Sequence, residues 1–267
     1  MWTAARELSR RMSRRDRLLL LGAVTLAAVV FTLLLPRIPQ NPAYHNFADS
    51  RRLFGSPNCL DVVSNAPFLL VGVLGLAFML RVASVGRSFL NSSERWPYVI
   101  FFLGVALVSL GSAYYHLAPD NARLLWDRLP MTFAFTSFLA AMVVERISLR
   151  AGLGLLPALL ALGIGSVLSW HWSELAGRGD LRFYGFVQFY PAVGIPLLVL
   201  LFPPHYTRTG DLVGIAGFYA LAKVFEVLDW QIFALGGLVS GHTLKHLAAA
   251  LATYWLLRML KLRSPAD

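Results

Sequence analysis

Eight apolar runs, each close to the length of a bilayer crossing, follow one another along this chain with short polar breaks between them. They fall at about 18–35, 61–80, 97–117, 124–144, 152–170, 183–202, 212–230 and 240–257. A helix needs roughly 20 residues to cross a hydrocarbon core. Lipid supplies no partner for a backbone N–H or C=O, so spanning segments satisfy these groups internally, as helices or closed barrels. Runs of this length predict an all-α fold, a polytopic membrane helix bundle. Breaks such as APDN, ERISLRAG and PPHYTRTG are polar or glycine-rich turn signals. The connections after residue 60 are short, so neighbouring helices are expected to pack antiparallel as one bundle.

Composition agrees. Hydrophobic residues make up 57% of the 267, charged residues 14%, and mean hydropathy is +0.61. A soluble domain rarely has such a balance. A net charge of +10 would point to nucleic acid in a soluble chain. Here the arginines cluster at the ends of the apolar runs, so they read as orientation signals and the partner is the bilayer, with no nucleic acid. The single cysteine, Cys59, excludes an intrachain disulfide and a cysteine-based metal site.

Six arginines precede residue 18, and the run that follows is long for a signal peptide. LLLPRIPQNP has no small-x-small cleavage site, so residues 1–57 are expected to form an uncleaved signal anchor followed by a polar loop containing Pro36, Pro39 and Pro42. Residues 58–267 form the second unit, a seven-helix core. With the N-terminus inside, inner segments carry 15 Lys and Arg and outer segments seven, with Lys223 and Lys245 inside runs. That bias places both termini on the cytoplasmic side. Compact loops and short termini point to a bacterial inner membrane. His116, Asp127 and His242 then share one depth, near the outer ends of their helices.

Polar side chains at membrane depth are costly, so each one is a candidate for function. The stretch GSAYYHLAPDNARLLWDRLP carries Ser112 and His116 four residues apart, on one helix face. Its turn brings Asp127 back across a helix pair. GHTLKHLAAA places His242 and His246 four apart, the spacing that lets two imidazoles reach one metal from one helix. His116 completes a three-ligand set. Three histidines with an open fourth position is a catalytic zinc pattern. Haem is disfavoured, because two histidines one turn apart cannot be opposite axial ligands. Asp127 can act as a base or pair with the flanking Arg123 or Arg128. Ser112 can donate to a developing oxyanion or bond back to its own helix. Lys223, Glu226, Asp229 and Lys245 read as a charge network between the last two helices. An ion path along this row is disfavoured, since no helix shows a mid-membrane Gly/Pro break. Ser64 and Asn65 are expected to bond across helices. His45, His171 and His205 receive no role.

The combination of Ser112, His116 and Asp127 in one hairpin, His242 and His246 in the last helix, and the Ser-Asn pair in DVVSNAPFLLVG resembles the alkaline ceramidase family. These membrane hydrolases share a superfamily with the adiponectin receptors. The resemblance covers about residues 58–257 and leaves the N-terminal helix outside it. It implies a seven-helix bundle with zinc in an intramembrane cavity, held by His116, His242 and His246. Asp127 would orient or deprotonate a zinc-bound water, and Ser112 would assist. The implied reaction is hydrolysis of a ceramide-like membrane lipid to a sphingoid base and a fatty acid. The rival within the superfamily is a receptor or signalling protein with structural zinc. Eukaryotic members also hold calcium in an acidic segment before the first core helix. HNFADSRRLFGSPNCLD departs from that pattern, although Asp49 and Asn58 could contribute oxygens to calcium.

Overall fold

The computed structural model describes residues 12–81 and 88–266, and the described residues form helices joined by turns and loops, with no strands. Arg6, Arg10, Arg11 and Arg87, which contribute to the charge bias, lie outside them. In chain order the α-helices are α1 (Arg14–Leu34), α2 (Cys59–Val63), α3 (Ala66–Arg81), α4 (Trp96–Leu117), α5 (Asn121–Arg146), α6 (Leu149–Leu175), α7 (Arg182–Phe189), α8 (Pro191–Leu201), α9 (Asp211–Val227), α10 (Asp229–Ala234) and α11 (Gly241–Leu262). Short 3₁₀ turns occupy Pro42–His45 and Ser92–Arg95.

Six helical segments are long and apolar enough to cross a membrane: Arg14–Leu34, Cys59–Arg81, Ser92–Leu117, Asn121–Arg146, Leu149–Leu175 and Arg182–Leu201. The chain is an integral membrane protein. The last two apolar runs are helical as expected but fall outside that set. α9 is only 17 residues long, and α11 carries His242, Lys245, His246, Arg258 and Lys261. They pack along one another and complete the bundle.

Three of the runs contain breaks that their hydropathy hides. Run 61–80 divides at Ser64–Asn65 between α2 and α3, run 183–202 at Tyr190 before Pro191, and run 212–230 at Leu228. Each break lies within an apolar run; only the first is marked by polar residues, Ser64 and Asn65 themselves.

α4 and α5 sit at the centre, with α3 and α6 on their flanks. Small residues let these helices approach, as membrane packing requires. A Cβ at Gly72 would lie 2.5 Å from the Ala106 backbone nitrogen of α4. The apolar core includes Phe102, Met142, Leu256 and Leu260, all fully or almost fully buried. α1 stands apart and has no buried residue. It is fastened at the junction of α7 and α8 by a 2.5 Å bond between Thr25 Oγ1 and the hydroxyl of Tyr190. Its C-terminal end is held by Arg182 Nη1, which donates to the carbonyls of Leu33 (3.0 Å) and Leu35 (2.6 Å).

At the opposite end of the bundle from the histidines, Arg263 is buried against Glu145 in an ion pair. Tyr98 donates to the same carboxylate at 2.6 Å, and Arg263 Nε donates to Ser88 O at 2.9 Å. The guanidinium lies 4.0 Å from the Tyr206 ring centre and 4.7 Å from that of Phe89. Backbone bonds from Thr207 N to Ser264 O and from Ala266 N to His205 O, both 2.9 Å, tie the C-terminal segment to the 202–210 loop.

Candidate metal centre

His116 sits one residue before the C-terminal end of α4, and His242 and His246 occupy the first two turns of α11. The structure brings them together. One ligand atom from each lies within 4.8 Å of the others, and all three are buried. Their ring centres are 4.8 Å (His116–His242), 5.0 Å (His116–His246) and 4.8 Å (His242–His246) apart. Among the described residues this is the one group of three or more His, Cys, Asp or Glu side chains gathered closely enough for a common ion.

The chemistry of this cluster fits a metal. His116 Nδ1 and His242 Nε2 are buried with no hydrogen-bond partner. Orphaned polar atoms in a low-dielectric interior are costly, and a cation shared by the imidazoles would satisfy them. His246 Nδ1 lies 2.8 Å from Ser64 Oγ. The Ser64 hydroxyl donates to Asp61 O at 3.1 Å, so its proton is committed. His246 Nδ1 is then the donor to Ser64, which leaves Nε2 with the free lone pair. Such outer partners fix the tautomer of a metal-binding histidine, and losing one typically costs about 10–100-fold in metal affinity. Ser64→Ala is therefore expected to weaken metal binding by about that factor with little loss of stability. Competition with a metal indicator checks it, and unchanged affinity would leave Ser64 a packing residue.

The N-terminus of α11 is placed from two directions. Ser240 caps it, its Oγ accepting from Thr243 N at 3.0 Å. Asp61 of α2 receives both Ser240 Oγ (3.2 Å) and Thr243 Oγ1 (2.7 Å). Asp229 accepts from His242 N at 2.7 Å and from Ala48 N at 3.0 Å. A carboxylate on the first turn's N–H groups also suits the helix dipole. Asp229 therefore leaves the expected row with Lys223 and Glu226, because the chain turns at Leu228. The rest of that network forms: Glu226 pairs with Lys223 at 2.6 Å and with Lys245 at 3.3 Å.

Ser112 and Asp127 meet where α4 and α5 cross. A Cβ at Gly111 would lie 2.0 Å from the Trp126 carbonyl oxygen. Pro130 has no N–H to offer that carbonyl four residues back, and Gly111 permits the neighbouring helix to approach it. This close crossing sets the Ser112 hydroxyl beside the Asp127 carboxyl. Gly111→Ala forces the helices apart and is expected to cost about 1–3 kcal/mol, read as a lower melting temperature in detergent. Gly154→Ala, with nothing within 4 Å of the new methyl, should not lower it.

The ion pairs left open for Asp127 do not form. Arg123 pairs with Asp120. Arg128 donates to Gln40 Oε1 at 2.7 Å and lies 4.2 Å from the Trp170 ring centre. Asp127, Ser112 and His246 instead line one cavity of about 660 Å³.

The loop between α1 and α2, which has no periodicity to read, closes over the histidines. Phe47 packs on His116 and His242 with ring centres 4.6 and 4.5 Å away. Asn58, in the left-handed conformation (φ 46°), donates to His116 O at 2.8 Å. His45 bridges Tyr115 and Asn121 at 2.9 and 3.0 Å. Asp49 meets Arg51 through both carboxylate oxygens at 2.7 Å, and this guanidinium holds its carboxyl below the usual range. Both residues considered for calcium also tie down this loop, Asp49 through its carboxylate and Asn58 through its amide nitrogen.

No protein-family model matches the chain, and a search of curated proteins finds none similar to it.

Proposed function

We propose that this protein is a zinc-dependent intramembrane amidase that hydrolyses ceramide-like lipids to a sphingoid base and a fatty acid. The observation that carries the reading is the convergence of three buried histidines from α4 and α11 beside a cavity that also holds Ser112 and Asp127. Bound there, zinc would act as a Lewis acid toward water and the amide carbonyl. Asp127 takes a proton from the attacking water and returns it to the departing amine nitrogen. Ser112 donates a hydrogen bond to Asp127 or to the oxygen on which negative charge grows. Phe47 keeps bulk water off the histidines from the loop side. The C–N bond breaks, water supplies OH to the acyl carbon and H to nitrogen, and the products are a carboxylic acid and an amine. The same proposal sets both termini on the cytoplasmic side of a bacterial inner membrane, on the arginine bias.

One observation favours a second reading. The Phe47 ring covers two of the three imidazoles, which also suits a metal that only holds the bundle together in a receptor or signalling protein. The test is a panel of ceramides with the purified chain in lipid nanodiscs. Fatty-acid release that stops with a chelator and returns with zinc supports the amidase. Absence of release from every lipid by zinc-loaded protein rules it out.

A further inference from the structure

α1 bears one inward stripe at Leu21, Thr25, Ala28, Thr32 and Leu35, spaced alternately by four and three residues, which places it on one face of the helix. The two halves of that stripe behave differently. Leu21 packs against the main core and Thr25 bonds to Tyr190. Ala28, Thr32 and Leu35, with Phe31 beside them, border the same cavity as Ser112, Asp127 and His246. α1 is thus fastened above by Thr25 and below by Arg182, and stands off from the bundle between these points.

The lining near α1 is mainly apolar, with Ala28, Phe31, Leu35, Met131 and Val193, and the polar side chains there are spent on backbone carbonyls: Thr32 Oγ1 donates to Ala28 O at 2.8 Å and Arg182 Nη1 to Leu33 O and Leu35 O. Water needs two or more polar partners to settle in a cavity, and the apolar side chains offer none. At about 660 Å³ the space lies within the range of ligand sites. It borders the candidate metal centre, with the Lys223–Glu226–Lys245 group alongside. A mainly apolar void bordered by the candidate metal centre matches a single lipid hydrocarbon chain.

We infer that the second half of α1 is the wall of an acyl-chain subsite, and that Ala28 and Phe31 set the chain length this protein accepts. The identity of the lipid linkage rests on the amidase reading, while the presence of the chain in this space does not. Ala28→Phe shortens the subsite and Phe31→Ala opens it. Each methylene gained or lost in an apolar pocket changes discrimination by roughly 10-fold or more. Ala28→Phe is expected to lose turnover of long-chain ceramides while keeping that of short-chain ones, and Phe31→Ala to shift the profile the other way.

A second measurement needs no turnover. Full-length protein in nanodiscs is photolabelled with a ceramide carrying a diazirine at its acyl terminus, and labelled residues are mapped by mass spectrometry. Labelling at Ala28, Thr32 and Leu35 should be competed away by unlabelled ceramide, whereas labelling at the lipid-facing Leu26 and Leu33 should not. Saturable labelling at Ala28 without hydrolysis of any lipid keeps the subsite and removes the amidase. Hydrolysis with no saturable label on α1, and a chain-length profile unmoved by Ala28→Phe, removes the subsite and keeps the amidase.

Discussion

Asp127→Asn is expected to lower amide hydrolysis by about 10²–10⁴-fold and to leave the metal content unchanged. The substitution keeps the shape of the side chain and removes its capacity to hold a proton. A structural role would have come from pairing with a flanking arginine, and both arginines are engaged elsewhere, Arg123 with Asp120 and Arg128 with Gln40 and the Trp170 ring. Asp127 is buried and faces the cavity beside Ser112. It also stays outside the three-histidine cluster, so its loss should not release the ion. Turnover of a ceramide and metal content measured on one preparation check both halves. Full activity would reduce Asp127 to a packing residue, and loss of metal would make it a ligand.

Arg263→Ala carries the largest expected effect on stability, about 3–5 kcal/mol, because it strands the buried Glu145 carboxylate without its partner. Three kinds of contact go at once: the ion pair, the bond to Ser88 O, and the faces of Tyr206, Phe89 and Tyr98 on which the guanidinium rests. Tyr98 alone cannot balance the charge it donates to. This group lies at the end of the bundle away from the histidines. The variant should therefore unfold at much lower temperature in detergent while the folded fraction binds metal normally. A melting temperature like that of the parent would mean that Glu145 is held neutral or finds another cation.

The helices were legible because an apolar run of about 20 residues has few other structures open to it in lipid. The breaks at Ser64–Asn65, Tyr190 and Leu228 were not, since each falls inside such a run. The three-histidine cluster was legible to the extent that it is local. The spacing of four puts His242 and His246 on one helix face, and the hairpin places His116 at the same depth. Ser64 was expected to bond across helices, and it does so to His246. Asn65 instead bonds back to Asp61 O within its own segment. Phe47 and Gln40 were invisible, and Asn58 was singled out only for calcium, because the α1–α2 loop has no periodicity and their partners lie 58 or more residues away in sequence. Asp229 was grouped with Lys223 and Glu226 by spacing along a continuous helix. The turn at Leu228 sends it to the N-terminus of α11. Asp61, which fixes that N-terminus from α2, had only its burial in an apolar run as a signal.

The most direct test is elemental analysis of the protein purified without added metal, alongside His116→Ala, His242→Ala and His246→Ala. The account predicts about one zinc per chain in the parent and, with one of three ligands removed, little or none in each variant. Full zinc occupancy in all three variants would place the ion elsewhere and contradict the metal centre outright.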